Sequence, residues 1–201
     1  GYYRYNGSDL DQRSLYWARP LIYHELVPGH HFQIALQQEN EALPKLRRLG
    51  GGLRLTAFTE GWAEYAAWLG FEMGLYDDPY IRYGRLVMEA FALARLVVDT
   101  GMNAERWTLD EARAYMRAHT LASEGEIASE TLRYATDIPG QALAYSLGAL
   151  KLRELRADAE AALGDRFDLP AFHAALLAQG ALPLPIVEAH LNHWIQVQRG
   201  E

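Results

Sequence analysis

Residues 23–33 read Tyr-His-Glu-Leu-Val-Pro-Gly-His-His-Phe-Gln and place a His-Glu pair and two further histidines inside an otherwise apolar, helix-like segment. In a His-Glu-x-x-His helix the two histidines share one face and bind one zinc ion, while the Glu next to the first His activates a water molecule. Here the fourth residue after His24 is Pro28, and histidines follow only at His30 and His31. The segment therefore indicates zinc-hydrolase chemistry with an altered spacing between the ligands.

The interruption at residues 27–29 is unusual for a purely structural helix, because an internal Pro costs roughly 3 kcal/mol and a Gly up to about 1 kcal/mol. A bulge or wide turn there would absorb two residues and bring His24 and His30 within reach of one ion. On a regular helix His31 would lie about 10 Å further along the axis than His24. We therefore predict His24 and His30 as ligands, with His31 as the alternative ligand or a residue that supports one. The plainer interpretation is ordinary histidines beside a helix kink.

A third ligand is expected, because catalytic zinc usually has three protein ligands. Residues 59–65 read Thr-Glu-Gly-Trp-Ala-Glu-Tyr, and Glu60 and Glu64 lie four residues apart on one helix face. This stretch resembles the Asn-Glu-Gly-Phe-Ala-x-Tyr segment of gluzincin aminopeptidases, whose Glu is the third zinc ligand. The resemblance implies that Glu60 is the ligand and that Glu64 orients a ligating imidazole. The alternative is a pair of solvated helix carboxylates.

Length and composition narrow the class of protein. The 201 residues fit a single domain, 1–201, which buries ~70% of the surface of its unfolded chain. The net charge is −7 and no Lys/Arg run exceeds two residues, which argues against nucleic acid or an anionic membrane as a partner. There is no cysteine, so any metal must be held by His and carboxylate. No apolar run reaches the ~18 residues of a membrane span, and both a cytoplasmic and a secreted or periplasmic location are open.

The periodicity of the apolar residues predicts an all-α fold, because they recur at three- and four-residue spacing almost throughout the chain. We expect a helical region over 11–39 bent at Pro20 and Pro28, a loop over 43–54, and a helix over 55–75. Capping boxes beginning at Thr108 and Ser123 predict two helix starts. Residues 1–10, with tyrosines at 2, 3 and 5, do not read as helix and could cover a cleft or form a short edge strand.

Motifs spread along the chain carry a family resemblance. They are His24-Glu25-Leu-Val-Pro28-Gly29-His30-His31-x-Gln33, Glu60-Gly61-Trp62-Ala63, Arg95-Leu-Val-Val-Asp99-Thr100-Gly101, Pro139-Gly140-Gln141-Ala-x-Ala-Tyr145-x-x-Gly148, Phe172-His173, Gly180 and Pro183-Leu184. In this order they resemble the bacterial family called domain of unknown function 885 (DUF885). The resemblance implies a mostly helical, gluzincin-like, zinc-dependent metallopeptidase. Family members are usually more than twice this length, and this chain resembles their C-terminal catalytic part.

Two further expectations come from this resemblance. A helical N-terminal portion, or a partner chain, would normally form one side of the cleft. The family commonly has a His after the Asp-Thr-Gly turn, where this chain has Asn103; if that His binds substrate or shuttles protons, its replacement would affect activity or specificity.

We therefore expect a metal-dependent hydrolase that cleaves an amide bond, in a peptide or another amide substrate, with one Zn²⁺. Glu25 is the candidate general base. Tyr145 is the candidate donor to the oxyanion by resemblance to gluzincins, although it could equally be a core tyrosine. Arg133 could bind a substrate carboxylate or pair with an acid inside the protein. The alternative function is an inactive or truncated helical module that binds metal or a partner. A di-metal carboxylate oxidase is disfavoured, because no His has a Glu three residues before it.

Overall fold

The computed structural model describes residues 3–4, 7, 10–12, 14–49 and 55–200, and within these ranges the chain is helical with no strand. This confirms the predicted all-α class. The α-helices are α1 Ala18–Glu25, α2 His30–Glu39, α3 Lys45–Leu49, α4 Thr56–Leu69, α5 Pro79–Ala104, α6 Leu109–His119, α7 Glu124–Leu132, α8 Leu143–Leu163, α9 Leu169–Ala178 and α10 Leu184–Arg199. The suggested edge strand is not seen at Tyr3 or Arg4, whereas Tyr2, Tyr5 and Asn6 lie outside the described residues. None of the described helices is long and apolar enough to cross a membrane.

The His-Glu segment forms two helices with a turn between them, where the sequence predicted one kinked helix. Helix α1 ends at Glu25 and α2 begins at His30, and the Val27–Pro28 peptide bond is cis. The turn is tight at Gly29, where a Cβ atom would lie 1.8 Å from the carbonyl oxygen of His24. Only glycine fits this close approach of the two backbone segments.

Two other sequence expectations need correction. Pro20 does not bend a helix, because it lies in the first turn of α1, where backbone N–H groups have no partner within the helix. The predicted loop over 43–54 contains helix α3, and residues 50–54 lie outside the described ranges. The capping boxes at Thr108 and Ser123 are both formed and begin α6 and α7 as predicted.

Helices α4 and α8 form the centre of the molecule. They approach each other closely at Gly61 and Gly148, where a Cβ on Gly61 would lie 2.6 Å from the Cα of Gly148. Phe58, Trp62 and Tyr65 of α4 are buried in a hydrophobic cluster with residues of α8, α9 and α10. Burying a large apolar side chain contributes about 1.5–3 kcal/mol, so α4 is fixed firmly in the core. The carboxylates of α4 are thereby held in the interior.

Candidate metal centre

Three of the sequence-predicted residues converge at one point. Nε2 of His30 lies 3.1 Å from Oε2 of Glu60, and Nε2 of His24 lies 3.5 Å from the same oxygen. The two imidazole rings are nearly perpendicular, with centroids 4.8 Å apart. One ligand atom from each residue lies within 4.8 Å of the others. Two imidazoles and one carboxylate therefore form a group that could hold one metal ion.

The turn between α1 and α2 creates this convergence. His24 is in the last turn of α1 and is buried, and His30 is the first residue of α2. The turn is attached to α4 by the indole N–H of Trp62, which donates a hydrogen bond of 2.9 Å to the carbonyl oxygen of Pro28. The residues inserted between the histidines thus bring His30 back beside His24, as the sequence predicted, and Trp62 holds the turn against the helix that carries Glu60.

Glu64 lies behind His24, as expected for a residue that orients it. Oε1 of Glu64 is 3.1 Å from Nδ1 of His24, a close ion-pair contact. The other oxygen of Glu64 pairs with the guanidinium of Arg85 at 2.9 Å. Arg85 is only 1% exposed. Glu64 is therefore held between a buried cation and the imidazole.

The carboxylates dominate the electrostatics of this cluster. Burial alone lowers the pKa of His24, but the close contacts with the negatively charged carboxylates of Glu60 and Glu64 outweigh burial and raise this pKa to about 9. Burial alone raises the pKa of Glu60, yet the hydrogen bonds from His24 and His30 lower it to about 2. The pKa of Glu64 is also lowered, because His24 and Arg85 offset its burial. The carboxylates thus remain ionised and favour a cation between the imidazoles.

Tyr145 lies against the first histidine. Its ring stacks on that of His24 with centroids 6.2 Å apart and an interplanar angle of 17°. Its hydroxyl oxygen accepts a hydrogen bond of 3.1 Å from Nε2 of Gln141, and the guanidinium of Arg95 lies 4.3 Å from the ring centroid. Because Gln141 donates to the hydroxyl oxygen, the phenol proton of Tyr145 is left for another acceptor.

A cleft of about 710 Å³ opens beside the cluster. Glu25, His30 and His31 line it together with Tyr3 and Arg4 of the N-terminal segment. The placement of Tyr3 agrees with the expectation that this segment could cover a cleft. His31 is exposed and is not one of the three converging residues. The structure thus places the candidate base and one candidate ligand on the same open surface.

Arg133 and Asn103 lie apart from the three converging residues. Arg133 pairs with Glu130 at 3.3 Å, and the other oxygen of Glu130 is 3.2 Å from Nε of Arg95. The Asn103 amide donates to Oδ1 of Asp99 at 2.8 Å, and that oxygen also accepts from the backbone N–H of Gly140. Asn103 therefore supports the turn that precedes α8.

Sequence reasoning missed Arg85. The signal was present in α5, where Ile81, Arg85, Met88 and Ala92 recur at helical spacing and are all buried. An arginine in such a stripe needs an acidic partner inside the protein. The partner, Glu64, is on another helix, so the pair could not be identified from spacing alone.

The family model described as "Bacterial protein of unknown function (DUF885)" matches residues 1–191. The chain belongs to this family. No match is found among curated proteins. Two of the motifs that carry the resemblance to this family are the interrupted His-Glu segment and the segment that begins at Glu60. Side chains from these two motifs meet at the candidate metal centre.

Two solved structures are similar to this DUF885 chain. The crystal structure of "the putative lipoprotein from Colwellia psychrerythraea" is 43% identical with a TM-score of 0.90, and the match covers 96% of this chain and 32% of that one. The structure of "a putative lipoprotein of unknown function from Shewanella oneidensis" is 25% identical with a TM-score of 0.77, and the match covers 90% and 32%. The chain thus spans about a third of the length of these two proteins.

Proposed function

We propose that this DUF885 chain is a zinc-dependent hydrolase that cleaves an amide bond, most simply a peptide bond. One observation carries the proposal. His24, His30 and Glu60 come from three different helices and place one ligand atom each within 4.8 Å of the others, next to a cleft. Folding has brought together residues that are distant in sequence and costly to bury, which is typical of a functional site.

The donor set fits zinc. Two imidazoles and a carboxylate, with the remaining position open, are a common set in catalytic zinc sites. Ligand atoms on a tetrahedral zinc with bonds of about 2 Å lie roughly 3.3 Å apart. The separations from Glu60 Oε2 are 3.1 Å to His30 and 3.5 Å to His24. Glu64 on the far side of His24 matches the carboxylate–histidine arrangement that orients zinc-bound imidazoles.

A zinc ion held by these three residues would supply Lewis-acid chemistry, activating water and polarising the scissile carbonyl. Glu25 accepts a proton from the attacking water while the water oxygen bonds to the carbonyl carbon. Glu25 then delivers that proton to the amine nitrogen as the C–N bond breaks. The phenol O–H of Tyr145 donates a hydrogen bond to the carbonyl oxygen, on which negative charge develops. Gln141 holds the Tyr145 hydroxyl from the other side.

Two measurements on the purified chain test this function. Elemental analysis of protein prepared without added metal should give about one zinc per chain. A panel of free, N-blocked and C-blocked peptides should then be cleaved, with loss of activity on chelation and recovery on adding zinc. A chain that takes up no zinc even when zinc is supplied contradicts the proposal. Zinc without cleavage of any peptide would favour an inactive metal-binding module.

The similar structures support one of the two locations that the sequence left open. Both are described as a "putative lipoprotein", a class of protein that is typically exported. We infer that the present chain also acts outside the cytoplasm. Cell fractionation of the native host should find it in the exported fraction, and recovery with cytoplasmic proteins alone would overturn this inference.

A further inference from the structure

Apolar side chains line the cleft beside the candidate metal centre. Leu26, Val27 and Ile34 share this cleft with Glu25 and His30. Val27 is 58% exposed and Ile34 is 42% exposed. Single exposed apolar residues are common on protein surfaces, but these three line one concave site together with the residues proposed to carry out the hydrolysis. We refer to Leu26, Val27 and Ile34 as the apolar lining.

The apolar lining is attached to the same elements as the candidate ligands. Val27 lies in the turn between α1 and α2, and the backbone N–H of Phe32 in α2 donates a hydrogen bond of 3.2 Å to the carbonyl oxygen of Leu26 beside it. Ile34 lies in α2 four residues after His30, so the two side chains are neighbours one helical turn apart. The lining is therefore held in place relative to the metal centre, as a specificity site requires.

The charges in the cleft do not favour one sign of substrate side chain. Among the described residues that line it, the carboxylate of Glu25 is offset by the guanidinium of Arg4. Water against the apolar lining gains no hydrogen bond from it, so an apolar side chain that displaces this water binds favourably. Selection in this part of the cleft therefore depends on apolar surface and not on charge.

The general base determines which part of the substrate meets the lining. Glu25 delivers a proton to the leaving amine, so the amine nitrogen must come within hydrogen-bond reach of it. Leu26 and Val27 follow Glu25 directly in the chain and line the same cleft. The side chain next to the amine nitrogen is thus the one that approaches the apolar lining.

We propose that the substrate residue that supplies the leaving amine carries a large apolar side chain, such as leucine or phenylalanine. Val27 and Ile34 determine this specificity. The inference rests on the proposed hydrolase function and adds the class of substrate to it.

Peptides that differ only in the residue on the amine side of the cleaved bond test the proposal. Leucine and asparagine have nearly the same shape, and the leucine peptide should have a kcat/KM about tenfold higher, because its side chain leaves water on binding. The difference should lie in KM, since the lining contacts this side chain equally before and during the reaction. The same exchange on the acyl side should have a much smaller effect.

Two matched double variants connect the preference to the lining. Val27→Thr with Ile34→Thr keeps the shape of the cleft but replaces apolar surface by hydroxyls, and should reduce the preference to about threefold or less. Val197→Thr with Ile186→Thr makes the same changes on α10, where these residues are 54% and 52% exposed, and should keep the wild-type preference.

The outcomes separate the specificity from the hydrolase function. Equal kcat/KM for the two peptides in the unmodified chain overturns the inference but leaves the hydrolase intact. So does a preference confined to the acyl side, or one that survives Val27→Thr with Ile34→Thr. The comparison in the unmodified chain decides the question even if this variant folds poorly.

Equilibrium binding of the same peptides to the Glu25→Gln chain tests the apolar lining without turnover. The leucine peptide should bind about tenfold more tightly than the asparagine peptide, and adding Val27→Thr with Ile34→Thr should remove the difference. This result without cleavage by the unmodified chain would support the apolar site and contradict the hydrolase function. No preference in either binding or cleavage overturns the inference.

Discussion

Two histidines pack near opposite sides of helix α4 and have opposite acid–base properties. His24 is surrounded by carboxylates, with Glu64 at 3.1 Å and Glu60 at 3.5 Å, and its pKa is raised to about 9. His173 shares a hydrogen bond of 2.7 Å with the Tyr65 hydroxyl, and its pKa is lowered to about 4 by burial and by the charge of Arg156. Burial therefore does not distinguish the candidate metal ligand His24 from His173. The charge of the partner residues does distinguish them, because the carboxylates beside His24 favour a cation there.

The largest expected difference between the two histidines concerns metal binding. His24→Ala removes a proposed ligand and should abolish stoichiometric zinc binding, because two protein ligands rarely retain zinc. His173→Ala removes a histidine that contacts no carboxylate of the cluster and should leave zinc content unchanged. Elemental analysis after gel filtration measures both. Equal zinc loss in the two variants would contradict the assignment of the site to the His24 side of α4.

A smaller effect is expected for the candidate base, which lies beside His24 in sequence. Glu25→Gln preserves shape and should keep one zinc per chain, while the turnover number for a cleaved peptide falls ~10²–10⁴-fold because the proton acceptor is gone. Glu39→Gln, at the end of α2, is the control and should retain both zinc and turnover. If Glu25→Gln cleaves peptide at the wild-type rate, Glu25 is not the base.

The carboxylate behind His24 should have a weaker influence still. Glu64→Gln leaves the three proposed ligands in place but removes the charge beside the His24 imidazole, and we expect zinc affinity to fall 10–100-fold. Competition with a chromogenic chelator gives the dissociation constant. An unchanged constant would mean that Glu64 serves only to neutralise Arg85.

A separate effect, on stability and not on zinc, is the pH dependence contributed by His173. Its pKa is about 4 in the folded protein, below the ordinary value of 6.5, so the unfolded chain binds the proton more tightly. The stability contributed by neutral His173 is complete above pH 6.5 and is lost as the pH falls towards 4. With chelator present, His173→Gln should show a shallower loss of unfolding free energy over this window than wild type. His193→Gln, an exposed control on α10, should follow wild type, and a His173→Gln curve with the wild-type slope would contradict the depressed pKa.

The sequence predicted which residues come together at the candidate metal centre better than it predicted the residues that pack around them. The all-α class and the capped starts of α6 and α7 depend on local periodicity and capping, which short stretches of sequence encode. The choice of His30 followed from the cost of Pro and Gly inside a helix. Arg85 and the Tyr65–His173 hydrogen bond depend on how distant helices pack, and no local pattern specifies such packing. Helix α3 was missed because a five-residue helix gives too short a periodic signal.

The central claim is that two residues inserted between the ligands make His30, and not His31, the second ligand. The zinc content of variants at these two adjacent residues tests this claim most directly. His30→Ala and His31→Ala change adjacent residues at the start of α2, so their effects on folding should be similar. We predict that His31→Ala retains about one zinc per chain and that His30→Ala retains almost none. Zinc retained in His30→Ala and lost in His31→Ala would show that the ligands have a different spacing and would contradict the account.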